Sequence, residues 1–358
     1  MAKTREEFKQ EHSPIVEELE RKLKESEKKY DDFRKDYGKL DLFFKRISDK
    51  IIPIKSLDNY YDPTVSPRKV DSPIAAVFRV SDEHNGMVQG AEEIEGFGKY
   101  NPEICDKRVL SNVIGFNNYI KLHRTAYQIP VCHMLVTGDL ISGDIHNELR
   151  KTNAYPVPVQ VVRAAENMGR RISLLAPNFE KIIVEFVTED NHGRLQIKPE
   201  HKEGGKDTYN YIIGYYAKEL VRDIPNVEFN IHPMLEKVVN VMERRYLITH
   251  GHNVRGWMGI PWYGIERQVG REAKKRMSVL MDNLRKEDVE KALDIGFDKY
   301  VFGHYHSWFE MRLYSCCASV SGTDAYDHSC GRYEPPGQTA WLVHPKHGEF
   351  NYINFKLT

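Results

Sequence analysis

Five short clusters of Asp, Asn and His punctuate the sequence. In order they are Ser81-Asp82-Glu83-His84, Gly138-Asp139-Leu140, Glu189-Asp190-Asn191-His192-Gly193, His250-Gly251-His252 and Gly303-His304-Tyr305-His306. Imidazole and carboxylate donors with no thiolate suit Mn, Fe or Zn, and suit Ca or a structural zinc less well. In an extended segment residues i and i+2 point the same way. Asp82 and His84 can therefore share one metal, and His304 and His306 can reach a common site. Glycines beside Asp139, His250 and His304 let the backbone turn sharply. A lone His at a strand end is usually a surface or satisfied core residue. Five ordered clusters are much harder to assign to chance.

Each cluster needs an element to carry it. The short apolar runs Ile74–Val80, Val131–Thr137, Lys181–Val187, Arg245–Thr249 and Lys299–Phe302 each end at one of the five. Helical stretches are expected over 104–128, 157–175, 208–223 and 266–294. Further strands are expected at Phe309–Tyr314, Ala318–Ser321, Thr339–Val343 and Phe350–Phe355. Alternating strands and helices followed by several strands predict an α/β sandwich with mixed sheets. In such sheets ligands bind just outside the carboxyl ends of the strands, so the five ends can converge on one point.

Composition narrows the classes. The chain has 358 residues, 41% hydrophobic and 11% aromatic, enough for a sizeable core. Lys+Arg and Asp+Glu both number 52, which excludes a uniformly basic nucleic-acid coat protein but not a local basic groove. No apolar run approaches the roughly 20 residues of a membrane span. The N-terminal MAKTREEFKQEH lacks an apolar signal-peptide core. Five Cys without CxxC spacing read as reduced thiols, and a cytoplasmic location is expected.

Three regions are expected. Residues 1–50 contain 27 charged residues of both signs, with Ile15, Leu19 and Leu23, then Tyr30, Phe33, Tyr37, Leu40 and Phe43, at helical spacing. That predicts a charged amphipathic helical arm, which either packs on its own domain or serves self-association or partner binding. A turn-rich linker, 51–70, contains Ile52-Pro53, Asp62-Pro63 and Ser66-Pro67. Residues 71–358 are expected to form the α/β domain that carries the five clusters.

The complete set resembles the calcineurin-like metallophosphoesterases. The family pattern runs Asp-x-His, Gly-Asp, Gly-Asn-His-Asp/Glu, His and Gly-His-x-His. Here it reads Asp82-x-His84, Gly138-Asp139, Asn191-His192, His250 and Gly303-His304-x-His306, within about residues 73–355. The resemblance implies two mixed β-sheets packed together and flanked by helices. It implies two divalent metal ions, with Mn2+ first and Fe or Zn as alternatives. Asp82, His84, Asp139 and His306 would hold one ion. Asp139, Asn191, His250 and His304 would hold the other, with Asp139 bridging. His192 would be the general acid, beside a metal-bridged hydroxide that attacks the phosphorus. Two of the motifs depart from the pattern. Asp190 replaces the first glycine of the third motif, and Gly193 replaces the acid that often orients the catalytic His, a role left to Asp190 or Glu189. The Asp expected three residues after Asp139 is missing, with Asp144 or His146 nearby.

The segment Asn253–Arg276 interleaves Trp257, Trp262 and Tyr263 with Arg255, Arg267, Arg271, Lys274, Lys275 and Arg276. Aromatics stack on bases and basic groups hold phosphates. A loop capped by core aromatics and followed by a solvated helix face would read the same way. Arg194, His252, Arg255 and Trp257 are the candidate substrate contacts. The segment from Gly322 to Pro336 could wall the pocket. The expectation is a phosphodiester hydrolase, a DNA nuclease first. The motif order and aromatic-basic loop are also similar to bacteriophage-encoded phosphoesterases. Alternatives are a nucleotide or cyclic-nucleotide phosphodiesterase, then a protein phosphatase. A non-catalytic scaffold subunit of the same fold is the alternative from another class.

Overall fold

The computed structural model describes residues 45–54, 73–196, 205–254, 259–285 and 295–357, with residues 18, 21–25, 27–28, 31 and 42 ahead of them. The chain divides into two units, Met1–Ile52 and Pro53–Thr358. In the first, the described residues include helical positions where exposed Arg21 pairs with Glu18 and Glu25. The rest of the expected arm, and linker residues 55–70, lie outside the described residues.

The second unit is an α/β sandwich of two mixed β-sheets flanked by helices, as expected from the sequence. Its strands are β1 Ala75–Val80, β2 Val131–Val136, β3 Lys181–Val187, β4 Val227–His232, β5 Glu236–Val241 and β6 Arg244–Thr249. Then come β7 Lys299–Phe302, β8 Phe309–Glu310, β9 Tyr314–Cys316, β10 Gly337–His344 and β11 Gly348–Lys356. One sheet has the order β11-β10-β1-β2-β3-β4 and the other β5-β6-β7-β9-β8. β1 to β4 are parallel neighbours, and β7 runs parallel to β6. The parallel run needs crossovers, which helices supply. They are α1 Pro102–His123, the short α2 Asn147–Thr152, α3 Val157–Leu175 and α4 Tyr209–Leu220. α5 Trp262–Arg285 covers the second sheet, and α6 Ala325–Ser329 is a single turn or so near its end.

Local sequence explains the helix starts. Asn101 accepts the Ile104 N–H at 2.8 Å and Pro102 follows it, so α1 begins with a side-chain cap and a residue that needs no donor partner. Thr208 caps α4 in the same way through the Tyr211 N–H at 3.1 Å. Along α3, Val157, Val161, Ala164, Met168, Ile172 and Leu175 are buried at three- and four-residue intervals.

Strand alternation builds the core. Ala75 and Val77 of β1 face the second sheet and pack with Leu135, Trp341, Val239, Tyr246, Ile248 and Val301. Phe78, on the opposite face, meets Phe116 of α1 at 4.5 Å between ring centres. Arg79 is fully buried between the sheets, donating to Ser315 Oγ at 2.9 Å and to the Phe302 carbonyl.

Two expected elements differ. Phe309–Tyr314 is two short strands joined by a tight turn closed by Met311 N–H to Tyr314 O, 2.9 Å. Ala318–Ser321 is not a strand. Its backbone is spent on the end of β1 instead: the Val320 N–H bonds the Asp82 carbonyl at 2.9 Å, and Arg108 holds the carbonyls of Val320 and Ser321. The five cysteines are free thiols, four of them buried. Among the described residues no helix is long and apolar enough to cross a membrane.

Candidate metal centre

The carboxyl ends of β1, β2 and β3 in one sheet meet those of β6 and β7 in the other. Backbone bonds draw the ends together. Asp82 N–H bonds Gly138 O, His84 N–H bonds Asp139 O, and Gly303 N–H bonds His250 O, at 2.9–3.0 Å. At these ends, too, bonds cross between the sheets. The Asp82 carboxylate accepts the His304 N–H at 2.9 Å, and His250 Nδ1 lies 2.9 Å from the Thr137 carbonyl.

The donors gather in overlapping groups, each with its ligand atoms within 4.8 Å of one another. Asp82, His84 and His306 form one, His84, Asp139 and His192 a second, and Asp139, His250 and His304 a third. These groups can coordinate metal ions. His84 Nε2 and His306 Nε2 are 3.0 Å apart, and His306 Nε2 is 3.6 Å from Asp82 Oδ1. His250 Nε2 is 2.9 Å from Asp139 Oδ2.

The ring tautomers follow from what each second nitrogen touches. A carbonyl only accepts, so His250 Nδ1 carries a proton for Thr137, and His192 Nδ1 carries one for Ser142 at 2.6 Å. His306 Nδ1 lies 2.7 Å from the Asp327 carboxylate. In each case Nε2 is left facing the cluster. Asn191 adds a buried Oδ1 with no hydrogen-bond partner, which is expensive unless something electropositive meets it. The donor set and this orphaned oxygen fit a divalent cation.

The backbone carries a second signature. Asp82, His84, Asp139, His304 and His306 all have φ between 46° and 71°. A side chain in that left-handed region costs on the order of 1–3 kcal/mol, and such strain collects at functional sites. The extended i, i+2 geometry expected for Asp82/His84 and His304/His306 is therefore corrected. Each pair reaches the centre by left-handed turns just past its strand. Gly303 is required for a related reason. A Cβ there would lie 2.1 Å from Ser81 Oγ and 2.2 Å from Asp82 Oδ2.

Burial and charge pull the site's groups apart. Burial raises the Asp82 carboxyl, and the imidazoles of His250 and His306 only partly offset it. Burial pushes Asp139 the same way, but its His250 and His192 neighbours outweigh burial and hold it well below the usual carboxylate range. Burial depresses His84 and His304. It also opposes charge on His250, yet the Asp139 carboxylate raises that imidazole to about 9.

The two departures in the third motif have a shared cause. Asp190 is buried and does not orient the His192 ring, which Ser142 holds instead. The Asp190 carboxylate accepts the Asp139 N–H at 2.5 Å, the Gly193 N–H at 2.6 Å and the Asn210 side-chain amide. A Cβ on residue 193 would lie 2.7 Å from both Asn210 Nδ2 and Asp190 Oδ1, so glycine is what fits. Asp144 lines a cavity of about 370 Å3 with Arg150, Tyr155 and Tyr209, and the His146 ring lies 6.3 Å from that of His192.

The expected substrate contacts are placed unevenly. Arg194 is half-buried with an unpartnered Nε. His252 sits 5.7 Å from the His250 ring, and burial lowers it to about 3. Arg255 and Trp257 lie outside the described residues. Trp262 packs on Phe309 at 4.6 Å, and Arg267 covers the exposed Tyr263. Lys275 and Arg276 serve the fold, pairing with Glu236 at 2.7 and 3.1 Å. Sequence reasoning missed the Ser142 carbonyl and Asp327. A backbone acceptor has no residue signature, whereas Asp327 was visible in the 322–336 segment.

No protein-family model and no curated protein matches the chain. Solved structures align with it at low identity. Vps29 of Entamoeba histolytica, complexed with Zn2+, is 10% identical over 79% of this chain and 99% of its own, with a TM-score of 0.27. An uncharacterised protein of Streptococcus pneumoniae described as a predicted phosphoesterase is 9% identical over 79% and 99%, TM-score 0.26. The sulfate thiohydrolase SoxB of Thermus thermophilus, in complex with glycerol, is 10% identical over 81% and 57%, TM-score 0.32. At these values the chain's own side chains carry the functional reading.

Proposed function

We propose that this chain is a metal-dependent phosphoesterase acting on phosphodiesters, with DNA as the first substrate to test. The supporting observation is the convergence of Asp82, His84, Asp139, His250, His304 and His306 at the joined strand ends, five of them in left-handed backbone. Asp82, His84, Asp139 and His306 would hold one cation. Asp139, Asn191, His250 and His304 would hold the other, with Mn2+ the first candidate. Bound there, two divalent cations would activate water and neutralise phosphate charge.

The chain's own groups supply the rest. His192 Nε2 lies 4.0 Å from Asp139 Oδ2, at the edge of the cluster. Because Nδ1 stays bonded to the Ser142 carbonyl in either charge state, the proton exchanged is the one on Nε2. That proton would go to the leaving oxygen. Arg194 supplies positive charge for a non-bridging phosphate oxygen. A nucleotide or cyclic nucleotide is the second reading. The commitment of Lys275 and Arg276 to Glu236 favours it, because it removes two cations from a strand-length groove.

The test is a substrate panel with added Mn2+: single- and double-stranded DNA, RNA, cyclic nucleotides and a phosphopeptide. Hydrolysis of DNA above all others supports the nuclease reading, and cyclic-nucleotide turnover alone supports the second. No hydrolysis by metal-loaded protein supports a scaffold.

A further inference from the structure

The segment 322–336 holds a cluster that the metal reading leaves unused. α6 opens with a capping box, in which the Asp324 side chain accepts the Asp327 N–H at 2.8 Å and Asp327 faces the Asp324 N–H. This fixes the Asp327 carboxylate, 2% exposed, beside the centre. One oxygen lies 2.7 Å from His306 Nδ1 and the other 2.6 Å from Arg332 Nη2. The Arg332 N–H in turn bonds the Asp327 carbonyl at 2.9 Å, and its guanidinium lies over the Tyr326 ring at 5.3 Å. The Asp324 carboxylate is 3.6 Å from the same His306 nitrogen.

His306 lies past the end of β7 in left-handed backbone, φ 54°. Nothing in an imidazole dictates which nitrogen faces a cation. The carboxylate does, by keeping a proton on Nδ1 and the lone pair on Nε2. A carboxylate behind a metal-binding imidazole also raises its basicity, and losing such a partner typically costs about 10- to 100-fold in metal affinity.

We propose that Asp327, braced by Arg332, is a positioning residue that orients His306 and thereby sets the affinity of one cation, the one shared with Asp82 and His84. The proposal rests on the metal-centre reading above. Of the donor set Asp327 touches His306, and among the described residues it has no contact with Asn191, His250 or His304, the ligands assigned to the other cation alone.

Calorimetric Mn2+ titration of the full chain tests this, with metal-free melting temperature measured alongside. In Asp327→Ala, one of the two Mn2+ sites should weaken about 10- to 100-fold while the other is unchanged. Asp327→Asn keeps an oxygen that can accept from Nδ1, so it should recover part of the loss. Arg332→Met leaves the carboxylate in place but unbraced, and should weaken the same site by less. These two variants carry the test if Asp327→Ala does not fold. In Co2+-loaded protein, the visible absorption of one site should shift in step. Wild-type affinity at both sites in all three variants overturns the proposal. So does an equal loss at both sites that follows the melting temperature. A wild-type chain that takes up no Mn2+ overturns the metal-centre reading itself, which separates the two failures.

Discussion

The backbone N–H of His304 donates to the carboxylate of Asp82 at 2.9 Å, joining the second sheet to the first through one oxygen of a predicted ligand. The other Asp82 oxygen accepts from Ser81 Oγ. Both bonds hold the carboxylate still, which is what a ligand needs if its position is to survive without a cation.

Asp139→Asn should be the most damaging single change. Asp139 touches His250 and belongs to two of the donor groups. Its loss removes the only carboxylate assigned to both cations, whose mutual repulsion then rises. Activity should fall by more than the 10- to 100-fold typical of an outer partner, with at least one metal equivalent lost. Metal analysis and turnover check it. Two metals and near-normal turnover would rule out bridging.

His192→Asn should spare both metals and slow alkyl phosphodiesters far more than activated aryl ones. An alkoxide leaving group needs a proton and a nitrophenolate hardly does. The difference should approach roughly 100- to 10,000-fold. Equal losses on both substrates, with metals retained, would sink the general-acid role.

Gly193→Ala should destabilise the fold by about 1–3 kcal/mol, because the added methyl overpacks a full site. Its carbon would sit 2.7 Å from Asn210 Nδ2 and Asp190 Oδ1. Urea unfolding measures the change. A stability within error of the wild type would show that Asp190 and Asn210 move freely.

Acid should weaken the fold partly through His133. Burial lowers this imidazole from 6.5 to about 4, against a weaker pull from Glu185. The unfolded chain therefore binds a proton that the folded one refuses. Stability falls as pH drops from about 6.5 toward 4, by about 3 kcal/mol at 1.36 kcal/mol per pH unit. The slope, compared between wild type and His133→Leu in unfolding experiments, should be shallower in the variant. Parallel curves would remove His133 as a contributor.

Deleting residues 1–50 should leave metal content unchanged and alter the mass in solution or partner binding. So polar a segment has too little apolar surface for a core of its own. Light scattering on both forms decides. An unchanged mass argues against self-association, and lost metal would tie the arm to the centre.

Much of the fold can be read from the chain because the central strands are buried on both faces. Ala75–Val80 and Lys299–Phe302 are short apolar runs with turn residues after them, and both stand where expected. α3 is legible from its 3.6-residue spacing. β4 and β5 are not, since they are edge strands in which Glu228, Asn230 and His232, or Glu236, Lys237 and Asn240, interrupt the apolar pattern. α6 is too short for periodicity, and its cap pairs two Asp residues. The donor residues were legible from type and order, but their geometry was not. Left-handed φ at Asp82 or His304 is imposed by the close approach of two sheets, which one stretch of sequence does not encode.

Asp82 and His304 stand 222 residues apart in the chain. A nascent polypeptide emerging from the ribosome therefore exposes Asp82, His84 and Asp139 long before His304 and His306 exist. Those three donors belong to the first sheet alone, and closing so long a loop comes late in folding. Full coordination becomes available only when the second sheet docks. Metal capture should then be among the last events of maturation, and a bound cation would act as a latch on a finished fold.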